Sequence, residues 1–151
     1  RDMRLLAAIL EIAGEMERMG DYAKGIARIN LAIGEQPLLK PLIDLPLMAS
    51  KARAMLDAAL EAFAQRDADR ARAIPKADDE VDALYQQIYR ELASFIVQDP
   101  TVIEQANVLI WAAHNLERAA DRVTNLCERV IYTVTGELEE LDSDTQGAES
   151  Y

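Results

Sequence analysis

Two five-residue segments, Glu17-Arg18-Met19-Gly20-Asp21 and Glu117-Arg118-Ala119-Ala120-Asp121, share a pattern and stand 100 residues apart. Each places carboxylates at i and i+4, so both acids of a pair leave one face of a helix. A third pair, Asp78 and Asp82, has the same spacing. Carboxylates gathered at one point repel each other unless a cation neutralises them. Such a cluster of oxygen donors, with no thiolate and no imidazole, suits hard divalent or trivalent ions such as Mg²⁺, Ca²⁺, Mn²⁺ or iron, singly or in a multinuclear centre. The competing structural reading is a hydrated acidic face with Arg18, Arg118 and Arg122 as counter-charges.

The only histidine, His114, lies three residues before Glu117 and is able to approach the same face. A di-iron carboxylate bundle needs Glu-x-x-His on two helices. Position 111 is Trp and no second histidine exists, so that class is excluded. Tyr85 and Tyr89 extend the Asp78–Asp82 face. No Gly-rich phosphate loop is present, and nothing orients His114 as a catalytic base, so the expected catalytic set is empty. Trp111 reads as a packing anchor or an interface residue.

These acids must be carried by long helices. The chain of 151 residues is half apolar, with few aromatics, six Gly and five Pro. That profile predicts an all-α antiparallel bundle. Apolar residues recur at bundle spacing at Leu5, Ile9, Ile12, Met16, Met19, Ala23 and Ile26, predicting a first helix over 2–33. Residues 109, 112, 116, 119, 123 and 126 repeat that seam 100 positions later, in a last helix over 100–135. Between them a second helix is predicted over 45–65, capped by Asp44, and a third over 68–97, kinked by Pro75. Ala112, Ala113, Ala119 and Ala120 should let neighbouring helices approach closely. Antiparallel third and fourth helices would then bring Asp78, Asp82, Glu117 and Asp121 together.

A net charge of −11 excludes a nucleic-acid partner, which demands clustered Lys and Arg. The lone Cys127 reads as a buried apolar residue in a reducing compartment. No apolar run reaches transmembrane length. Arg1 to Leu6 already read as helix interior, as expected for a piece of a longer chain. Residues 137–151 read as a disordered acidic tail.

The chain resembles the PhoU family, accessory regulators of bacterial phosphate-specific transport. The resemblance runs over residues 1–136. It is carried by Arg1-Asp2-Met3-Arg4-Leu5 with the first acidic motif, by Asp78-Asp79-Glu80-Val81-Asp82-Ala83-Leu84-Tyr85, and by Asn115-Leu116-Glu117-Arg118-Ala119-Ala120-Asp121 with Asn125, Tyr132 and Gly136. It implies two similar three-helix bundles. Residues 1–36 would be the last helix of the first bundle and 37–136 the complete second one. It implies metal held by Asp78, Asp82, Glu117 and Asp121, with Glu17 and Asp21 contributing to a first cluster. Tyr22 stands where the family usually has His, and Gly25 where the second copy has Asn125. It also implies a cytoplasmic, non-enzymatic negative regulator that couples a phosphate ABC transporter to a sensor histidine kinase. The alternatives are a metal-dependent phosphatase or a purely structural helical module. The apolar face of the first helix should be buried on the second bundle or on another copy, in a homo-oligomer.

Overall fold

A computed structural model describes residues 2–141. Five α-helices account for most of them: α1 (Asp2–Ile33), α2 (Asp44–Gln65), α3 (Ala68–Ala73), α4 (Asp78–Gln98) and α5 (Ile103–Thr135). Among the described residues no helix is long and apolar enough to cross a membrane.

The central pillar is α5, which packs against every other helix. Its 33 residues span about 50 Å at 1.5 Å per residue. Small or branched side chains make this possible. Ala106, Ala113, Ala120, Val123, Cys127, Val130 and Ile131 are fully buried, and they meet Met48, Met55 and Ala59 of α2 and Val81, Ile88 and Leu92 of α4. Burial pushes the Cys127 thiol up to about 12, in keeping with its role as a small apolar side chain. Gly136, in the left-handed region at φ 87°, closes α5, and its N–H returns to the Tyr132 carbonyl. Arg4 of α1 lies over that end and over the Tyr132 ring, where a cation complements the helix dipole.

Three expectations need correcting. The single third helix over 68–97 is two helices: Pro75 has no N–H to donate, and the chain passes through a 3₁₀ turn over Ile74–Ala77 before α4 begins. Asp44 does not cap α2. It is the first residue of that helix, and its carboxylate takes Lys40 at 3.0 Å. Residues 137–141, expected to belong to the tail, form a short strap instead. Arg72 grips Glu139 with two hydrogen bonds of 2.9 and 2.7 Å, and the Leu141 N–H donates to Glu128 Oε1 at 2.9 Å. The rest of that tail, 142–151, lies outside the described residues.

Helix α1 lies along α5 and buries Ala8 and Ile12. Ile9 and Met16, expected in its seam, are 42% exposed, as are Met3, Leu6 and Leu10 to a greater degree. The 100-residue repeat explains the geometry of this contact. Glu15 meets Asn125 at 3.4 Å, and the equivalent positions, Gly25 and Asn115, also face each other. A helix packed antiparallel on its own sequence copy makes paired contacts about a local two-fold, as in an isologous dimer. The approach is close: a Cβ at Gly25 would stand 3.1 Å from Asn115 Nδ2, so the Asn115 amide would have to give way to any side chain there. Gly25→Leu should therefore wedge α1 from α5 and cost about 1–3 kcal/mol in urea unfolding, and Asn115→Ala in the same chain should recover part of it. An additive double variant would contradict this close approach.

Candidate metal centre

The turn at Pro75 sets the start of α4, and with it the place of the acids. Asp78, Asp79 and Glu80 fill the first turn, where the helix dipole favours negative charge. One turn on, Asp82 continues the Asp78 face, and Val81 beside it is fully buried against the core. Across the interface α5 presents Glu117 and Asp121, flanked by the fully buried Ala113 and Ala120. The absence of bulk at those two positions lets the acidic faces of α4 and α5 meet.

The four acids sense one another. Burial first, and then the charges of Asp82, Asp121 and Glu117, push Asp78 up to about 7. Glu117 also rises to about 7, through burial and then Asp121, against the opposing pull of Arg118. Both shifts mean that the ionised forms lack enough solvent and counter-charge. Two oxygens show the same deficit geometrically: Asp78 Oδ1 and Glu117 Oε2 are buried without a hydrogen-bond partner. Orphaned acceptors of this kind demand an explanation such as an ion. Asp121 is held by Arg118 at 2.8 Å, and the same guanidinium lies close to the Tyr22 side chain of α1. Asp82 is exposed, so the cluster opens to solvent on that side.

The donor chemistry of this set, four carboxylates with two unsatisfied buried oxygens, fits a hard cation. The arrangement is not a finished cage. Among the described residues no three His, Cys, Asp or Glu side chains converge as a ready ligand set. Binding would require the carboxylates to turn, and Arg118 to release Asp121.

The structure brings Asp78, Asp82, Glu117 and Asp121 together and leaves Glu17 and Asp21 apart from them, exposed on α1. Two other acids of α1 reach α5: Glu11 meets Arg129 at 3.0 Å, and Glu15, the more buried, meets Arg18 of its own helix at 2.9 Å and, on α5, Arg122 at 3.4 Å and Asn125 at 3.4 Å. Sequence reasoning missed both. The signal available for Glu15 was its place two residues ahead of the motif, one turn beyond the buried Ile12. Glu128 was missed too, a buried acid that holds the strap.

Comparison with known proteins decides the relationship. The PhoU domain model matches residues 45–130, which is more than half of the chain. The chain belongs to the PhoU family. A phosphate-specific transport system accessory protein PhoU homolog of Deinococcus radiodurans is 40% identical over 139 residues, 92% of this chain and 65% of its own length. That of Aquifex aeolicus is 36% identical, over 91% of this chain and 62% of its length. The crystal structure of the phosphate transport system regulatory protein PhoU from Streptococcus pneumoniae superposes with a TM-score of 0.84 at 32% identity, covering 93% of this chain and 66% of that one. PhoU from Pseudomonas aeruginosa also gives 0.84, at 34% identity, covering 90% and 66%. The chain thus spans slightly less than two thirds of the length of these curated relatives, and its all-helical bundle is that of the PhoU structures.

The raised acids set a direction for pH dependence. Asp78 and Glu117 carry folded-state values near 7, above the ordinary carboxyl values of 3.8 and 4.5. Between those limits the folded chain binds more protons than the unfolded one, so their contribution is favourable below about pH 4 and lost as pH rises through 7. The melting temperature of the metal-free PhoU chain should therefore fall from pH 5.5 to 8, and Asp78→Asn should flatten the slope. Equal slopes for the two proteins would contradict the electrostatic crowding.

Proposed function

We propose that this chain is a metal-binding regulatory adaptor of phosphate uptake and signalling. Asp78, Asp82, Glu117 and Asp121 hold one hard ion or cluster, and the orphaned oxygens of Asp78 and Glu117 carry this reading. The bound ion supplies positive charge that draws α4 and α5 together, so the acids fix the shape of the surface offered to partners. Glu17 and Asp21 contribute a carboxylate pair to a second centre, completed by groups beyond the described residues.

The names of the relatives, accessory and regulatory proteins of phosphate transport, support the biological part. On this reading the whole protein acts in the cytoplasm, without catalysis. It couples a phosphate ABC transporter to a sensor histidine kinase and keeps phosphate-starvation genes silent when phosphate is plentiful. The exposed Met3, Leu6 and Leu10 of α1 support the expected self-association.

Titration of the metal-free chain with Mn²⁺, Fe²⁺ or Mg²⁺ tests the site. At about 100 times Kd the melting temperature should rise by roughly 5–10 °C, and Asp121→Ala should abolish that rise. A metal-insensitive melting curve, with no ion above trace in the purified protein, would leave only the hydrated acidic face. In cells that lack the full-length protein, phosphate-starvation genes should switch on in rich phosphate. Restoration of full silencing by an Asp78→Asn, Asp121→Asn variant would remove metal from the regulatory role.

A further inference from the structure

Trp111 is the one tryptophan of the chain, and 60% of its surface is exposed on α5. It is not a packing anchor. Its ring meets His114 edge-on with centroids 5.8 Å apart, and His114 in turn packs on Tyr85 of α4 at 6.1 Å. Tyr85 leads on to Tyr89 at 6.4 Å, which is 48% exposed. Four rings thus form a continuous row across two helices, in a chain with few aromatics. A contiguous exposed row of this kind marks a contact surface, and Trp and Tyr are the side chains that carry binding energy there. The row also has a charged edge. Along α4 the face runs from Asp78 and Asp82 to Tyr85 and Tyr89, and along α5 from Asp121 and Glu117 to His114 and Trp111. Glu117 stands at the junction, its Oε2 3.3 Å from His114 Nδ1 and without a hydrogen-bond partner.

We propose that this row is a docking surface for an arginine-bearing segment of a partner protein, with the guanidinium stacked on the exposed rings and paired with Glu117. Rings beside a carboxylate match arginine in two ways. The π-faces attract the flat, weakly hydrated cation, and the carboxylate accepts from its N–H groups. Charge selects against the other occupant, a second copy of this chain. The net charge is −11, and a two-fold contact would bring a second set of the same carboxylates to the same place. The inference stands apart from the metal-site reading: it uses the rings and, of the acids, Glu117 alone.

Trp111 reports on the row directly, as the sole source of tryptophan emission. The full chain, with chelator present throughout, should show a saturable change in that emission on titration with a capped tri-arginine peptide, and the binding should weaken in high salt. The same peptide built from citrulline, which keeps the length and planarity but not the charge, should give no saturation. Tyr89→Ala should raise the Kd about fivefold, the loss of one cation–π contact, while Tyr89→Phe keeps the original value. Glu117→Gln should raise it about threefold. An equal response to citrulline, no response to arginine at millimolar concentration, or an unchanged Kd in either Tyr89→Ala or Glu117→Gln would overturn the proposal. So would emission that shifts to the blue as the chain alone is concentrated, because a second copy would then cover Trp111. Peptide binding by a chain whose melting curve ignores Mn²⁺ would remove the metal site and leave this surface standing; the converse result would remove this surface alone.

Discussion

Carboxylates of the same charge, partly removed from water and facing one another across a helix interface, oppose the packing that brought them there. In this bundle the packing prevails. Ala113 and Ala120 leave no bulk between α4 and α5, and Val81, Ile88 and Leu92 are buried against the same pillar. The apolar burial on either side holds Asp78 against Glu117 and Asp121, and the electrostatic cost appears as carboxyls that retain protons near neutrality. The rest of the molecule can be understood from this conflict. The acids sit at the start of α4, where the helix dipole offsets some of their charge, and Arg118 supplies a partial counter-ion from within α5.

The bridging role of Arg118 gives the conflict a longer reach. One guanidinium pairs with Asp121 and lies close to the Tyr22 side chain of α1. The acidic cluster is therefore connected to the helix that packs as a sequence copy on α5.

Much of the architecture was legible because it depends on local rules. Apolar spacing, prolines and glycines placed the ends of α1, α2 and α5 within a few residues, and the i,i+4 acids of α4 and α5 do share a face. The α1 surface was less legible. Periodicity identifies a stripe, but the neighbour decides which edge of that stripe is covered, and α5 covers Ala8 and Ile12 while leaving Ile9 and Met16 exposed. Pro75 was read as a kink. Whether a missing N–H bends a helix or divides it depends on the surrounding packing, and here the buried Ile74 anchors a separate turn. Glu15, Glu128 and the strap escaped notice because their partners lie 107, 13 and 67 residues away in the chain. No local pattern encodes those distances.

The sealed thiol of Cys127 has a practical consequence. It has no solvent exposure, and its proton is retained far above neutral pH, so neither oxidants nor alkylating reagents can reach a thiolate while the pillar stays packed. Its labelling would thus clock the rare excursions in which α5 parts from its neighbours. Slower labelling in the presence of any bound molecule would report a tightening of the whole interior.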